Sequence, residues 1–228
     1  MIFRDIHEKS ILPKSLIMIT MAVTIWISFC IMFIEKNDLV FWLQPYKTTG
    51  NFYRNVLLFS CFLIYFIRLG IMLFVFYKRK MYWIEAIIII NIMPFIIPLV
   101  AVVSGNNGQK IDYLEYAGIL MFILGSYLNT YSEFLRYIWK KKKENKGHIY
   151  ADGLFKYSIH INYFGDIILF SGIALIADRL ILLLIPVSMA LVFILILIPL
   201  KEKYLKNKYG KEFDNYAKRT RKLIPYIY

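Results

Sequence analysis

Acidic residues are scarce in this chain and cysteine is scarcer: 15 Asp and Glu face 28 Lys and Arg, and 228 residues include two cysteines. Cys30 and Cys61 both fall inside apolar stretches, where a free thiol behaves as a small hydrophobe. They support neither a disulfide framework nor a zinc spacing, so no metal site is expected. The alternating pattern of a membrane barrel is missing. So are internal repeats, a linker, and the polar rings or inverted repeats of channels and transporters. These absences set aside barrels, pores and two-domain layouts, and leave one membrane domain over 1–228.

What the chain has in abundance is apolar sequence. It is 59% hydrophobic with a mean hydropathy of +0.56. Six blocks carry this excess, at about 15–34, 55–77, 82–103, 113–139, 161–177 and 180–200. Runs near 20 apolar residues match the hydrocarbon thickness of a bilayer. Backbone groups in lipid must be satisfied within the segment, so each block reads as a helix. The expected fold is all-α, a polytopic membrane helix bundle of about six transmembrane helices. The first block follows Arg4, Lys9 and Lys14 as a signal peptide might, but Met32-Phe33-Ile34-Glu35 offers no small-residue cleavage site, so it is read as a retained helix. Ser104-Gly105-Asn106-Asn107-Gly108 signals a turn, and Asp178-Arg179 splits the last two blocks into a tight hairpin.

The net charge of +13 gathers beside the apolar blocks. That placement reads as topology signals and contacts to anionic membrane lipid, not as nucleic-acid binding. With both termini in the cytoplasm, the inner side holds 21 Lys and Arg and the outer side five, Arg54 among them. A multi-pass protein of the cell (plasma) membrane is expected, and no protein partner is called for. The tail 201–228 is too polar to span; Leu205, Tyr209, Phe213 and Tyr216 recur at helical spacing. It reads as an amphipathic cytoplasmic helix, with the apolar end Ile224-Pro225-Tyr226-Ile227-Tyr228 docking on the bundle.

Ionisable groups within a span cost about 2.5–3.5 kcal/mol each on insertion scales, and they usually face a cavity or a partner. Three places qualify. Arg68 lies about ten residues from Lys78 in the second block, with Tyr65 three residues earlier on the same helix face. In the fourth block Asn129, Glu133 and Arg136 form one stripe that Lys140 extends to the surface. The plainer reading of that stripe is a self-neutralising Glu133–Arg136 pair, which leaves Asn129 unexplained. Third, His160, Asn162, Tyr163 and Asp166 fall on the first turns of the fifth block. A helix start there suits an anion; the plainer reading makes Asn162 an N-cap and His160 an interfacial histidine. All three places lie toward the cytoplasmic half, and an intracellular cofactor would account for their convergence.

The run Gly153-Leu154-Phe155-Lys156-Tyr157-Ser158-Ile159-His160-Ile161-Asn162-Tyr163-Phe164-Gly165-Asp166 resembles the "G-L-[FW]-x-Y-S-R-H-P-N-Y-x-G-[DE]" pattern of the steroid 5-alpha-reductase C-terminal domain and its bacterial relatives. Sterol reductases and isoprenylcysteine carboxyl methyltransferases share that pattern. Lys208-Tyr209-Gly210-Lys211-Glu212-Phe213-Asp214-Asn215-Tyr216 and Ile224-Pro225-Tyr226-Ile227-Tyr228 extend the resemblance, which runs from about Gly118 to Tyr228. Asn129-Thr130-Tyr131-Ser132-Glu133 and Tyr65-Phe66-Ile67-Arg68 are similar to reductase elements. The resemblance implies a cofactor-binding half at about 113–228 and substrate-side helices at about 1–112. It implies that Asn129, Glu133, Arg136, Asn162, Tyr163 and Asp166 hold NADPH, with Lys140 and His160 beside them, while Tyr65 and Arg68 serve the reaction on a lipid-like small molecule. The chain departs from the pattern in three ways. Ile159-His160-Ile161 replaces "R-H-P", Ile196-Leu197-Ile198-Pro199-Leu200 replaces a basic and His-containing stretch, and the second carboxylate that helps bind a steroid enone has no counterpart in the first block; Glu202 instead resembles the methyltransferases' "E-x-x-L".

Three functions follow in order: an NADPH-dependent reductase of a C=C bond in a lipid or steroid-like substrate; an S-adenosylmethionine-dependent methyltransferase of isoprenylcysteine or phospholipid type; and a non-catalytic lipid-binding membrane protein.

Overall fold

A computed structural model describes residues 9–34, 50–105 and 110–228. Of the turn expected at 104–108, Ser104 and Gly105 are helical and 106–108 lie outside the described residues, as do the flanking charges Arg4, Lys36 and Lys47. The described residues are helical, with no β-strand beyond an isolated bridge between Ser158 and Arg221. The order is α1 (Ile11–Phe33), α2 (Phe52–Ile71) continued by a π turn (Met72–Phe76), α3 (Trp83–Gly105), α4 (Tyr113–Lys141), α5 (Ile161–Ile176), α6 (Leu184–Val192), a second π turn (Phe193–Leu197), α7 (Ile198–Tyr209) and α8 (Lys211–Arg219).

Four segments are long and apolar enough to cross a bilayer: α1, α2 with its π turn, α3, and the rod from Leu180 to Tyr209 that contains α6 and α7. The other two expected spans are α4, whose 29 residues include Glu115, Glu133 and Arg136, and α5, which has 16 residues. They pair closely with each other. The faces that bear Ile19, Trp26, Ile67, Phe95, Leu120, Ile123, Leu184 and Leu195 are exposed; an apolar surface of that extent is a lipid-facing surface. The chain is a membrane helix bundle.

Local chemistry fixes the helix ends. The Asn51 side chain accepts from the N–H groups of Tyr53 and Arg54 to start α2. Asp112 and Glu115 form a capping box that starts α4. Inside α1, Thr20, Thr24 and Ser28 each donate their hydroxyl to the carbonyl four residues back, at 2.8–3.0 Å, so these three hydroxyls are satisfied within the helix. The π turn at Phe193–Leu197 precedes Pro199. Proline lacks an N–H and crowds the carbonyl four residues earlier, and the wider turn absorbs both effects.

Glycine brings α4 and α5 together. An added Cβ on Gly118 would lie 2.7 Å from the Gly172 carbonyl, and one on Gly165 would lie 2.7 Å from the Asn129 nitrogen. Gly118 and Gly125 on α4 interlock with Gly172 and Gly165 on α5. Each pair is spaced by seven residues, two helical turns, so one contact line runs the length of the antiparallel pair.

The tail departs from the expected single amphipathic helix. Leu205 and Tyr209 belong to α7, the extension of the last rod, and Gly210 breaks the chain at φ 53°. Only Phe213 and Tyr216 sit on the short amphipathic α8, where both are buried against Ile159. Docking is also displaced from where it was expected. The Ile159 N–H donates to the Arg221 carbonyl at 2.8 Å and the His160 N–H to the Lys222 carbonyl at 3.0 Å. Leu223 is buried, but Tyr226, Ile227 and Tyr228 are exposed.

Candidate functional site

The end of the bundle that carries Lys78, Arg79, Lys140 and Lys201 also holds a buried polar network at the junction of α2, α4 and α5. Asn129 is its hub. Its side-chain oxygen accepts from Arg68 Nη2 at 2.9 Å, and its amide nitrogen donates to Asp166 Oδ1 at 2.9 Å and to the Asn162 carbonyl at 3.1 Å. One turn along α4, Glu133 accepts from the Asn162 amide at 3.0 Å and pairs with the Arg136 guanidinium. Arg68, Asn129 and Glu133 are each less than 9% exposed, whereas the Arg136 side chain is 34% exposed. The network therefore begins deep between helices and ends at a cation that solvent reaches.

The α4–α5 glycine line makes this possible. Gly165 stands against the Asn129 backbone, so Asn162 and Asp166, three residues before it and one after, lie within hydrogen-bond reach of α4. Six of the residues picked out from sequence thus meet: Arg68, Asn129, Glu133, Arg136, Asn162 and Asp166. The plainer reading of Asn162 does not hold, because His160 occupies the N-cap position of α5, without a side-chain capping bond, and Asn162 spends its amide on Glu133. The Glu133–Arg136 pair does form, but Glu133 also binds Asn162, so the acid is not consumed by neutralisation.

The remaining four lie around this centre. His160 is 3% exposed, not interfacial, and stacks on Tyr163 at 5.3 Å; Tyr163 in turn stacks on Phe193 at 4.7 Å. His160 Nε2 has no hydrogen-bond partner among the described residues and lies 3.9 Å from Glu202 Oε1. Burial, aided by Lys201, Arg136 and Lys222, pushes its pKa down to about 3, so the ring is neutral at ordinary pH. Lys140 donates to the Tyr209 hydroxyl at 2.9 Å, which ties α4 to α7. Tyr65 and Arg68 share a helix face but contact different helices. The Tyr65 hydroxyl meets Met93 Sδ on α3 at 3.6 Å and its ring meets Phe170 on α5. Arg68 turns to α4, donating to Thr130 at 2.7 Å and Ser126 at 3.4 Å as well as to Asn129.

The arrangement offers amide and carboxylate acceptors in a row, closed by an arginine, with a neutral histidine and several cations beside it. Among the described residues no group of His, Cys, Asp and Glu could hold a metal.

A family model described as a protein of unknown function (DUF1295) matches residues 72–220. The chain belongs to this steroid 5-alpha-reductase-like family. Human 3-oxo-5-alpha-steroid 4-dehydrogenase 2 is 32% identical over 122 residues, which cover 54% of this chain and 46% of the human one. Its counterpart from Sus scrofa is 32% identical over 111 residues, or 49% and 42% of the two chains. The chain thus spans about half the length of the curated relatives it matches. The family match takes in every network residue except Arg68, and it leaves out Tyr65.

Several contributors escaped the sequence reading. Ser126 and Thr130 share the Arg68 guanidinium; their spacing of four on the Asn129 stripe was the available signal. The glycine pairs carried theirs in the seven-residue repeat. Ser158, fully buried, donates to the Leu223 carbonyl at 2.7 Å and accepts from the His160 N–H at 3.3 Å. It holds the C-terminal segment Arg221–Leu223 against the start of α5, and no local pattern announces that long-range contact. Arg54, counted with the outer flanking charges, is instead wholly buried in the first turn of α2, paired with Glu115 and 3.5 Å from Asp178.

Proposed function

We propose that this protein is a membrane reductase that uses NADPH to reduce an electron-poor C=C bond of a lipid or steroid-like substrate. The observation that carries the reading is the convergence of Arg68, Asn129, Glu133, Arg136, Asn162 and Asp166, from three helices, into one hydrogen-bonded network. The family relationship and the name of the human relative support the reaction class.

The residues present fit the cofactor on a feature of this structure: Arg136, Lys201 and Lys222 gather beside the buried, unpartnered Nε2 of His160 and outnumber Glu202, whose Oε1 lies 3.9 Å from it, so the net positive charge suits an anionic group. The half-exposed Arg136 and the start of α5 would take the phosphates, and Asn162 and Asp166 the neighbouring polar groups. NADPH supplies a hydride when bound. Tyr65 would polarise the substrate carbonyl and deliver a proton to it. Arg68, whose donors are directed at Thr130, Ser126 and Asn129, acts here as a positioning residue that holds Asn129. In this reading residues 1–112 shape the lipid pocket, the basic end faces the cytoplasm, and the host is the plasma membrane.

The test is titration of the detergent-solubilised protein with NADPH and, separately, S-adenosylmethionine. Saturable NADPH binding, lost in Asn129→Ala and Asn162→Ala, is expected. Binding of S-adenosylmethionine alone would move the chain to the methyltransferase branch, as Ile159 in place of the motif arginine permits. Binding of neither would leave a lipid-binding scaffold.

A further inference from the structure

Apart from the network, a cleft of about 470 Å³ opens between α7, α8 and the C-terminal segment. That volume lies in the usual range of small-ligand sites. Its floor is apolar, built from Ile159, Pro199, Phe213 and Ala217. Its rim is charged, and four of the five charges are matched: Lys206 lies 3.1 Å from Asp214, and Lys222 lies 3.2 Å from Glu202. The fifth is Lys203, which has no ion pair among the described residues. The rim therefore carries one net positive charge, and two ion pairs already hold its other side chains in place.

The level of the cleft along the rod identifies its surroundings. Pro199 lies where the apolar sequence of α6 and the π turn gives way to Lys201-Glu202-Lys203. Ile196 and Leu200, next to it, are 52% and 41% exposed. An apolar floor open beside lipid-facing side chains, under a rim with a single positive charge, lies at the depth where hydrocarbon meets headgroup.

We propose that this cleft seats the phosphodiester headgroup of one anionic phospholipid, with Lys203 as its counter-charge and the acyl chains along Ile196 and Leu200. A phosphodiester carries one negative charge, which matches the one unpaired cation. A soluble anion would meet the same lysine but gain nothing from the exposed aliphatic flank. No network residue lines the cleft, but Glu202 and Lys222 border both it and the His160 pocket, so the test rests on Lys203, which belongs to the cleft alone.

The experiment is native mass spectrometry of the full chain in mild detergent, with added phosphatidylglycerol or phosphatidylcholine. One retained phosphatidylglycerol per chain is expected, in preference to phosphatidylcholine. A basic residue at a membrane surface is worth enough that Lys203→Gln should weaken retention about fivefold. Lys143→Gln removes the same charge from the same end of the bundle, outside the cleft, and should leave retention unchanged. Equal weakening by both substitutions would reduce the effect to general surface attraction and overturn the site. Equal retention of the two lipids would also overturn it. Soluble glycerol phosphate that competed as well as the lipid would reassign the cleft to a free phosphate.

Discussion

Two polar clusters interrupt the apolar interior, one near each end of α4. Glu115 and Glu133 are 18 residues apart, about 27 Å along the helix. Near the start of α4, opposite charges touch directly: Arg54 binds Glu115 and reaches Asp178, and the first two side chains are fully buried. Near its end Glu133 also pairs directly with Arg136, but amides stand between the other charges: Asn129 and Asn162 link Arg68, Asp166 and Glu133. The first arrangement ties α2, α4 and the α5–α6 hairpin and offers nothing to a ligand. The second spreads two acids and two arginines along a path that ends at solvent. Bracing favours short ionic contacts, whereas a binding surface keeps geometry fixed and leaves directional groups available.

Breaking the ionic cluster should have the largest effect on folding. Glu115→Gln leaves the buried Arg54 with only the Asp178 carboxylate, 3.5 Å away; loss of one partner from a buried ion pair typically costs about 3–5 kcal/mol. Unfolding in mixed micelles should show that loss, while cofactor affinity of the folded fraction stays unchanged. The paired change Arg54→Met with Glu115→Leu should restore much of the stability, because it removes the two fully buried charges together and leaves only Asp178, which is partly exposed. Failure of the pair to recover would mean that Glu115 matters mainly through its capping bond to the Asp112 N–H, which is 2.9 Å long.

At the other end the roles of packing and polarity can be separated. Gly165→Ala would place a Cβ 2.7 Å from the Asn129 nitrogen and 2.8 Å from the Gly125 carbonyl, both backbone atoms. The helices must part, at a cost of about 3 kcal/mol. Asn162 and Asp166 would then drift from Asn129, so NADPH binding should fall along with stability. Asn129→Ala keeps the helices together but removes the group that joins Arg68 to Asp166, leaving Arg68 on Thr130 and Ser126 alone, at about 2 kcal/mol. Isothermal titration beside thermal unfolding distinguishes the two: Gly165→Ala should cost more stability, and Asn129→Ala should abolish binding at a smaller cost to the fold.

The asymmetry between the ends also explains what the sequence made legible. Block length and hydropathy located the first five long helices to within a few residues, because the lipid requirement acts locally on each segment, but the last rod runs on to Tyr209, past the block's expected end at 200. The stripe Asn129–Glu133–Arg136 was readable because polar residues at helical spacing in an apolar run stand out. The Arg54–Glu115–Asp178 cluster was hidden by its position, since charges at span ends read as loop residues. The Ser158–Leu223 contact joins segments 65 residues apart with no periodic signal. The tail misled because Leu205 and Tyr209 continue the helical spacing across Gly210, where the positive φ ends one helix and starts another in a new direction.

His160 gives the mildest way to sharpen the contrast, since it places a titratable ring beside the network. In the folded chain its pKa sits near 3 because burial and the cations Lys201, Arg136 and Lys222 oppose protonation. In the unfolded chain an ordinary histidine titrates near about 6.5. Between those values the unfolded state binds more protons, so stability falls as pH drops through that window. The slope is at most about 1.4 kcal/mol per pH unit from this one group. It should be absent above neutral pH, where the ring is uncharged in both states. Unfolding of the wild-type chain between pH 7 and pH 5 (bounds set about the ordinary value of about 6.5) should reveal it, and His160→Gln should flatten it. A slope that survived that substitution unchanged would show that His160 is not the group behind the acid sensitivity.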